Sequence, residues 1–379
     1  MKDVAILGVG MTPFVAKTEA SLREQVYRAG RAALGDAGVT FPQVESVYMG
    51  YLWEPTMTGV RFLKEFGLTG VHVQHVQNAS ATGSAAMLEA VRTVAGGHSE
   101  VAMAIGFDDM QHISGTGFSS ESAEGVILPA AFFALWAQER MLDYGTTPET
   151  LATIAAKNWN NAALNPMAQR QPATAVTPEK VMASKMIADP LTSMMSAAVG
   201  QGAAAVIVGS VELARKLHPD RPPVLVSAAT MQSESYTPHH LFVGPVVGPS
   251  EMTATTAEAA YNQAGLGPED LDIVQVHDAF PVEELVYYEK LGICPEGEGD
   301  KLVADGATSL GGRIPFSTDG GLIGRGHPGG PTGLAQIWET TLQLRGEAGA
   351  RQVPDAKVGL CHMVGGGSVC VVHILQRGT

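Results

Sequence analysis

The chain has 379 residues and a formal net charge of −14, with only 16% charged side chains and an abundance of Gly, Ala, Val and Met. That negative balance argues against non-specific binding to nucleic acid or to acidic membrane, because neither polyanion gains by meeting it. The length accommodates two ordinary domains or one two-part core, and the scarcity of charge implies extensive burial in a multilayer fold or an oligomer.

The N-terminal MKDVAILGVGMTPF passes from a short apolar stretch straight into Gly, Thr and Pro, which reads as a buried strand over Val4–Val9 and not as a signal peptide. Ser21–Gly35 follows as a helix with Val26, Ala29, Ala33 and Leu34 on one side; Gly38 closes it, and Val44–Met49 forms the next strand. Asn78–Gly97 is a small-residue turn feeding a helix with Ala85, Leu88, Val91 and Ala95 at helical spacing, and Val101–Ile105 is another strand. This order predicts a mostly parallel sheet covered on both faces. From about Asp108 to Pro223 the pattern loosens, with helical pieces at Pro148–Ala162 and Pro178–Ala188, and reads as a long insertion that covers something. Near its end Ala203–Val208 is a continuous apolar run suited to a central strand. No run approaches the roughly 20 apolar residues of a membrane span. Cys294, Cys361 and Cys370 show neither metal-ligand spacing nor an even framework, so no metal is expected and a reducing cytoplasm fits.

The second half repeats the first. Gly38 pairs with Gly265, Val39 with Leu266, Val44 with Leu271, Val47 with Val274 and Met49 with Val276, at one constant offset without a gap. Further on, Thr82-Gly83 pairs with Thr332-Gly333, which sets Ser80 opposite Gly330; Val101–Ile105 matches Val358–His362, and GAAAVIV matches GSVCVVH. Ungapped agreement through helix end, loop and strand indicates two similar βαβ-type halves, the insertion belonging to the first.

Four loops fall at strand ends of these halves, where parallel sheets bind ligands: Asn78–Gly83, the VHDAF stretch Val276–Phe280, GGLIGRGHPGGPTG at Gly320–Gly333, and MVGGGS at Met363–Ser368. Ser80 sits where a turn meets a helix start, a place that suits a nucleophile or an oxyanion site; the same residues also suit a plain N-cap at Asn78 or Ser80. His327, between Gly326 and Pro328, is a candidate general base or hydrogen-bond donor, and His277 stands in a second converging loop. Gly365, Gly366 and Gly367 offer backbone N–H groups to an oxyanion, or simply make a tight turn.

NASATGS, VHDAF, GGLIGRGHPGGPTG and the glycine-rich part of CHMVGGGSVCVV, in this order over nearly the whole chain, resemble the thiolase superfamily. The HDAF form and YYEKLGICPEGEGDKL resemble the sterol carrier protein type thiolases. The resemblance implies an α/β protein with a five-layered αβαβα fold of two similar halves, usually a dimer, and a loop-domain insertion over a coenzyme A site. The corresponding division is an N-terminal half at 1–107 plus 200–215, a loop domain at 108–199 and a C-terminal half at 216–379.

In that family a cysteine is the nucleophile; the matching position here is Ser80. The resemblance makes His327 the activating base and part of an oxyanion site, His277 the group that polarises the thioester oxygen, and the amides of Gly365 and Ser80 a second oxyanion hole. The family's proton-shuttling cysteine would fall at Met363 or Ala279, so both expected thiols are absent, and Cys361 substitutes only if its side chain reaches the cavity. The expected substrate is an acyl group carried on coenzyme A. Three readings follow: an acyltransferase acting through Ser80; a cysteine-free retro-aldolase splitting a beta-hydroxyacyl-CoA, the kind that works with a small OB-fold, zinc-ribbon partner, with His327 or Tyr236 taking the hydroxyl proton; and a non-catalytic acyl-CoA-binding subunit. Met182, Met186, Met194 and Met195 suggest an adaptable apolar lining or core, and Lys185 and Arg170 are candidates for nucleotide phosphates.

Overall fold

The computed structural model describes residues 3–110, 129–236 and 249–379. The first half comprises β1 (Val4–Met11), α1 (Leu22–Ala37), β2 (Ser46–Gly50), α2 (Thr58–Leu63), β3 (His72–Val76), α3 (Thr82–Ala95) and β4 (Val101–Asp109). The insertion contributes α4 (Pro129–Tyr144), α5 (Pro148–Ala163), α6 (Pro178–Met182), β5 (Met186–Ala188) and β6 (Leu191–Thr192), after which come β7 (Gln201–Ser210) and α7 (Val211–Leu217). The second half holds β8 (Val224–Ser233), α8 (Glu251–Ala264), β9 (Ile273–Gln275), α9 (Pro281–Lys290), α10 (Gly299–Ala304), α11 (Gly321–Gly324), α12 (Gly329–Arg345), β10 (Val358–Gly365) and β11 (Val369–Arg377).

The strands run in the order β3-β2-β4-β7-β1-β8-β11-β10-β9. Parallel pairing, expected from the strand–helix–strand order, holds for β2–β3, β2–β4 and β9–β10. The strands between them, β4–β7–β1 and β8–β11–β10, pair antiparallel: β11 follows β10 directly as a hairpin, and β7 returns beside β4 after the insertion. The halves join where β1 meets β8, at Ala5↔Leu225 and Ile6↔Val224. Repeat partners thus occupy matching places on either side of this seam: β1 and β8, β7 and β11, β4 and β10, β2 and β9. Gly38 and Gly265 both end their helices in the left-handed region, at φ 69° and 67°, which explains why both positions are glycine.

The side-chain alternation of the strands sorts the apolar residues into layers. Ala5, Leu7, Val47, Met103 and Ile207 pack against α1 through Val26, Ala29 and Ala33. The opposite face, with Val4, Ile6, Ala104 and Val206, meets α3 and α12 through Met87, Ala90, Leu334 and Ile337, and the same cluster takes in Ile273, Cys361 and Leu375 from the second half. The outer face of the second half, with Val274, Leu360, Val372 and Ile374, is covered by α8, α9 and the insertion's α5. Helices, sheet, helices, sheet, helices gives five layers, with α3 and α12 in the middle. Those two helices cross with almost no side chain between them: a Cβ on Gly83 of α3 would lie 2.5 Å from the Gly330 carbonyl oxygen, and one on Gly333 of α12 2.6 Å from the Ser84 amide nitrogen.

The predicted helix to Ala188 ends at Met182 instead. Ser184 turns its hydroxyl onto the Val181 carbonyl, and Asp189-Pro190 turns the chain so that β5 pairs with β6. Residues 111–128 of the expected insertion lie outside the described residues.

Candidate active site

Asn78 to Ala81 form a tight elbow between β3 and α3. Ala79 stands at φ 47°, an unfavourable value for a residue with a Cβ, and the elbow is held by Ala81 N–H to Asn78 O (3.0 Å), Thr82 N–H to Ala79 O (3.0 Å) and Asn78 N–H to Thr82 Oγ1 (2.8 Å). The helix N-cap is Ala81, without a side-chain capping bond, so neither Asn78 nor Ser80 serves as the cap. Ser80 Oγ lies 3.1 Å from His327 Nε2.

His327 is fixed from three sides. Gly326 takes φ 114°, Pro328 follows, and the His327 N–H donates to Ala198 O at 2.8 Å. Its Nδ1 is 2.9 Å from Thr332 Oγ1, and that hydroxyl donates its own proton to the Pro328 carbonyl. Thr332 is therefore an acceptor toward the ring, Nδ1 carries the proton, and Nε2 is left bare to accept from Ser80. Burial, then the charges of His277 and Arg325, hold His327 well below the usual histidine range, so the ring is neutral at neutral pH.

His277, just past β9, lies with its ring perpendicular to that of His327, centroids 5.4 Å apart. Its Nδ1 is 2.7 Å from Glu283 Oε1 at the start of α9, and its Nε2 is buried without a partner among the described residues. The adjacent Asp278 faces away, accepting from Leu322 N–H (2.7 Å) and Asn158 Nδ2 (2.8 Å) and so tying the HDAF loop to α11 and α5. The insertion clamps both loops: Ala197 N–H donates to Ala279 O and Ala198 N–H to Leu322 O. Gly365 closes β10 against the elbow, and a Cβ there would collide with the Asn78 carbonyl oxygen.

Where the missing thiols would stand, Ala279 and Met363 pack with Ala81, Leu322 and Val371 in a small apolar cluster. Cys361 does not replace them. It is buried in the central layer with Sγ 3.1 Å from Thr340 Oγ1 on α12, and burial pushes its thiol up to about 12. Arg170 is turned inward, its Nη1 bonded to Ser196 O and Ile323 O and its guanidinium over the Trp159 ring, 4.4 Å from the centroid. Met195 is fully buried core; Met182 and Met194 pack on the same core, while Met186 is exposed. Lys185 is exposed, and Tyr236 is 75% exposed at the end of a described segment. The sequence reading assigns Thr332 and Glu283 no role beyond the place of Thr332 in the repeat, although its position five residues after His327, at a helix start, places it to meet the ring.

Ser80 of the first half is thus paired with a neutral, hydroxyl-oriented histidine of the second, in a five-layered α/β fold. The chain matches the family described as Thiolase, N-terminal domain over residues 4–211 and that described as Thiolase C-terminal domain-like over 244–377, and it belongs to the thiolase family. It is 36% identical to an acetyl-CoA acetyltransferase of Methanothermobacter thermautotrophicus, over 100% of both chains. It is likewise 36% identical to human sterol carrier protein 2, over 100% of this chain and 72% of that protein. Among solved structures, the Ltp2-ChsH2(DUF35) aldolase superposes with a TM-score of 0.84 at 26% identity, covering 99% of this chain and 98% of the other.

Proposed function

We propose that this chain is a thiolase-like enzyme that makes or breaks the carbon–carbon bond next to an acyl-CoA thioester, with Ser80, His277, His327 and Gly365 as its working residues. The observation that carries the reading is the Ser80 hydroxyl at 3.1 Å from the bare Nε2 of a neutral His327. In the acyltransferase reading His327 takes the Ser80 proton as Oγ attacks the 3-keto carbon, the C2–C3 bond breaks, and the acyl group rests on Ser80 as an oxygen ester until coenzyme A thiol removes it. The departing enolate oxygen is held by His277 and its C2 takes the proton back from His327, while the oxyanion of the attacked carbonyl is held by the amides of Ser80 and Gly365. Names among the relatives, acetyl-CoA acetyltransferase above all, support coenzyme A thioesters as substrates.

The retro-aldol reading has its own support in the apolar cluster around Ala279 and Met363, which offers no thiol for proton shuttling at the alpha carbon, and in the likeness to an aldolase. There His327 takes the proton of a beta-hydroxyl, C2–C3 breaks to give a ketone or aldehyde, and the enolate, held as before, takes that proton back at C2. That neighbour's name pairs it with a DUF35 protein, which supports a small OB-fold, zinc-ribbon partner for this chain, whereas a non-catalytic subunit would bind acyl-CoA without turnover. We further take the chain to be a homodimer, since β3 ends the sheet and leaves a strand edge to pair, and to work in the cytoplasm, in keeping with its unpaired cysteines. The divisions 1–107 plus 200–215, 108–199 and 216–379 are proposed as its structural units.

The deciding measurement gives purified protein, alone and with a partner, either a 3-ketoacyl-CoA with free coenzyme A or a beta-hydroxyacyl-CoA. Ser80→Ala is expected to cut acyl transfer by about 1,000-fold or more, as loss of an attacking serine does, and to leave retro-aldol cleavage within about tenfold. Thiolysis that survives Ser80→Ala sinks the serine mechanism; silence toward every thioester sinks the enzyme.

A further inference from the structure

The two histidines of the site are both buried and differ in what their Nδ1 atoms meet. His327 meets a neutral hydroxyl. His277 meets the carboxylate of Glu283, which is fully buried and whose other hydrogen bonds come from neutral donors, Phe280 N–H and Tyr287 O–H, both at 3.2 Å. The neighbouring Glu284 is differently served: Lys157 is its counter-ion, and Asn158, Ser317 and Tyr288 donate to it. A buried carboxylate is costly without a countercharge, and His277 is the one ion-pair partner of Glu283 among the described residues. A carboxylate only accepts, so Nδ1 of His277 carries a proton, and the buried, unpartnered Nε2 is the nitrogen left for a ligand.

We propose that Glu283 is the positioning residue that gives the two histidines opposite roles: its charge holds His277 as an imidazolium whose Nε2–H is offered to the thioester oxygen, while neutral Thr332 leaves His327 as the base. This rests on His277 facing the thioester, as read above, and adds the residue that sets its charge. The Nε2 proton stays on His277 and shortens its hydrogen bond to the oxygen as negative charge develops there. The groups around His277 are few. On α9 stand Glu283 and Tyr287, whose phenol is kept protonated by burial and by Glu283. Across the site is His327, behind which Arg325 is paired to Asp319. On β10 His362 packs edge-to-face on Tyr287, bonds Thr253 through Nε2 and is held by burial at about 3, so it is neutral. Asp278 is next in the chain and is turned toward Leu322 and Asn158.

The test uses the full chain labelled with 15N-histidine, the His277 signals being assigned by their loss in His277→Asn. Both nitrogens of His277 are expected to show imidazolium shifts at pH 7 in the wild type, and Glu283→Gln is expected to convert them to the neutral pattern at the same pH. In turnover, Glu283→Gln should lower kcat by about 10- to 100-fold with KM within about threefold, and move the alkaline limb of the kcat profile to lower pH. Glu283→Asp, which keeps the charge, should return the limb toward its wild-type position, an effect a merely structural role would not produce. A neutral His277 in the wild type, or a Glu283→Gln limb that coincides with the wild type, overturns the proposal. Should Glu283→Gln fail to fold, the wild-type spectrum and the Glu283→Asp profile decide. Should no thioester be turned over, the functional reading falls and the histidine spectrum still judges Glu283.

Discussion

Thr332 decides which nitrogen of His327 is bare, and it does so with a single oxygen that accepts from the ring and donates to Pro328. Thr332→Val keeps the shape and removes the acceptor, leaving a buried N–H unpaired and the tautomer unspecified. Activity is expected to fall about 10- to 100-fold in kcat with little change in KM, and stability by about 1–3 kcal/mol; a kcat within twofold of wild type on steady-state assay would remove Thr332 from the mechanism. Ser80, His277, His327 and Gly365 were legible as candidates because each stands in a loop of small, turn-forming residues at a strand end. Glu283 was not, because a Glu at the third position of a helix reads first as half of a capping box, and here it does cap, through the Phe280 N–H. Its second bond, to His277, depends on how the loop before α9 folds back, and spacing along the chain does not encode that.

At the level of elements, the crossing of α3 and α12 sets the reach between Ser80 and His327, since one helix begins just after each residue. Gly330→Ala would drive a methyl group into the Gly50 and Phe107 carbonyls, which belong to β2 and the end of β4 and cannot rotate away. The expected cost is about 1–3 kcal/mol of stability from overpacking, read as a lowered midpoint in denaturant melts, together with a loss of turnover larger than the loss of thioester binding. The repeat foretold this crossing in part: Thr82-Gly83 and Thr332-Gly333 were aligned from sequence, and Gly83 does lie against the Gly330 carbonyl. Sheet pairing was less legible. Parallel and antiparallel neighbours have the same apolar strands, and only the return of the chain through β7 and β11 makes the middle of each half antiparallel. The Pro178–Ala188 piece failed for a local reason, a serine hydroxyl competing with the helix for the Val181 carbonyl.

For the molecule as a whole, buried histidines set how it meets acid. Burial holds His362 at about 3, His373 at about 4 and His327 well below the usual value. Between these values and the unfolded value near 6.5, the unfolded chain binds protons that the folded chain refuses, so stability rises with pH through that window and is lost on acidification. Asp108, pushed up to about 6 mainly by burial, opposes this, since the folded state then holds its proton longer. His373 separates the two effects, because both its ring nitrogens lack partners among the described residues. His373→Leu is expected to stabilise more at pH 5 than at pH 8, by about 2 kcal/mol, in paired thermal or denaturant melts; an equal effect at both pH values would show that His373 is not a source of acid sensitivity.

The seam at β1 also bears on how the chain is made. β1, 8 residues long and wholly buried, leaves the ribosome before every other described strand. Its partners come far later: Val4 pairs with Ser210 on β7, and Ile6 with Val224 on β8. At synthesis rates of roughly 5–20 residues per second, β1 waits about 10–40 seconds for a neighbour on either edge. Birth order and pairing order therefore run in opposite directions, and the interval in which this apolar segment is open to a chaperone, or to a second nascent chain, is set by the remainder of the first half and the insertion, both translated in between.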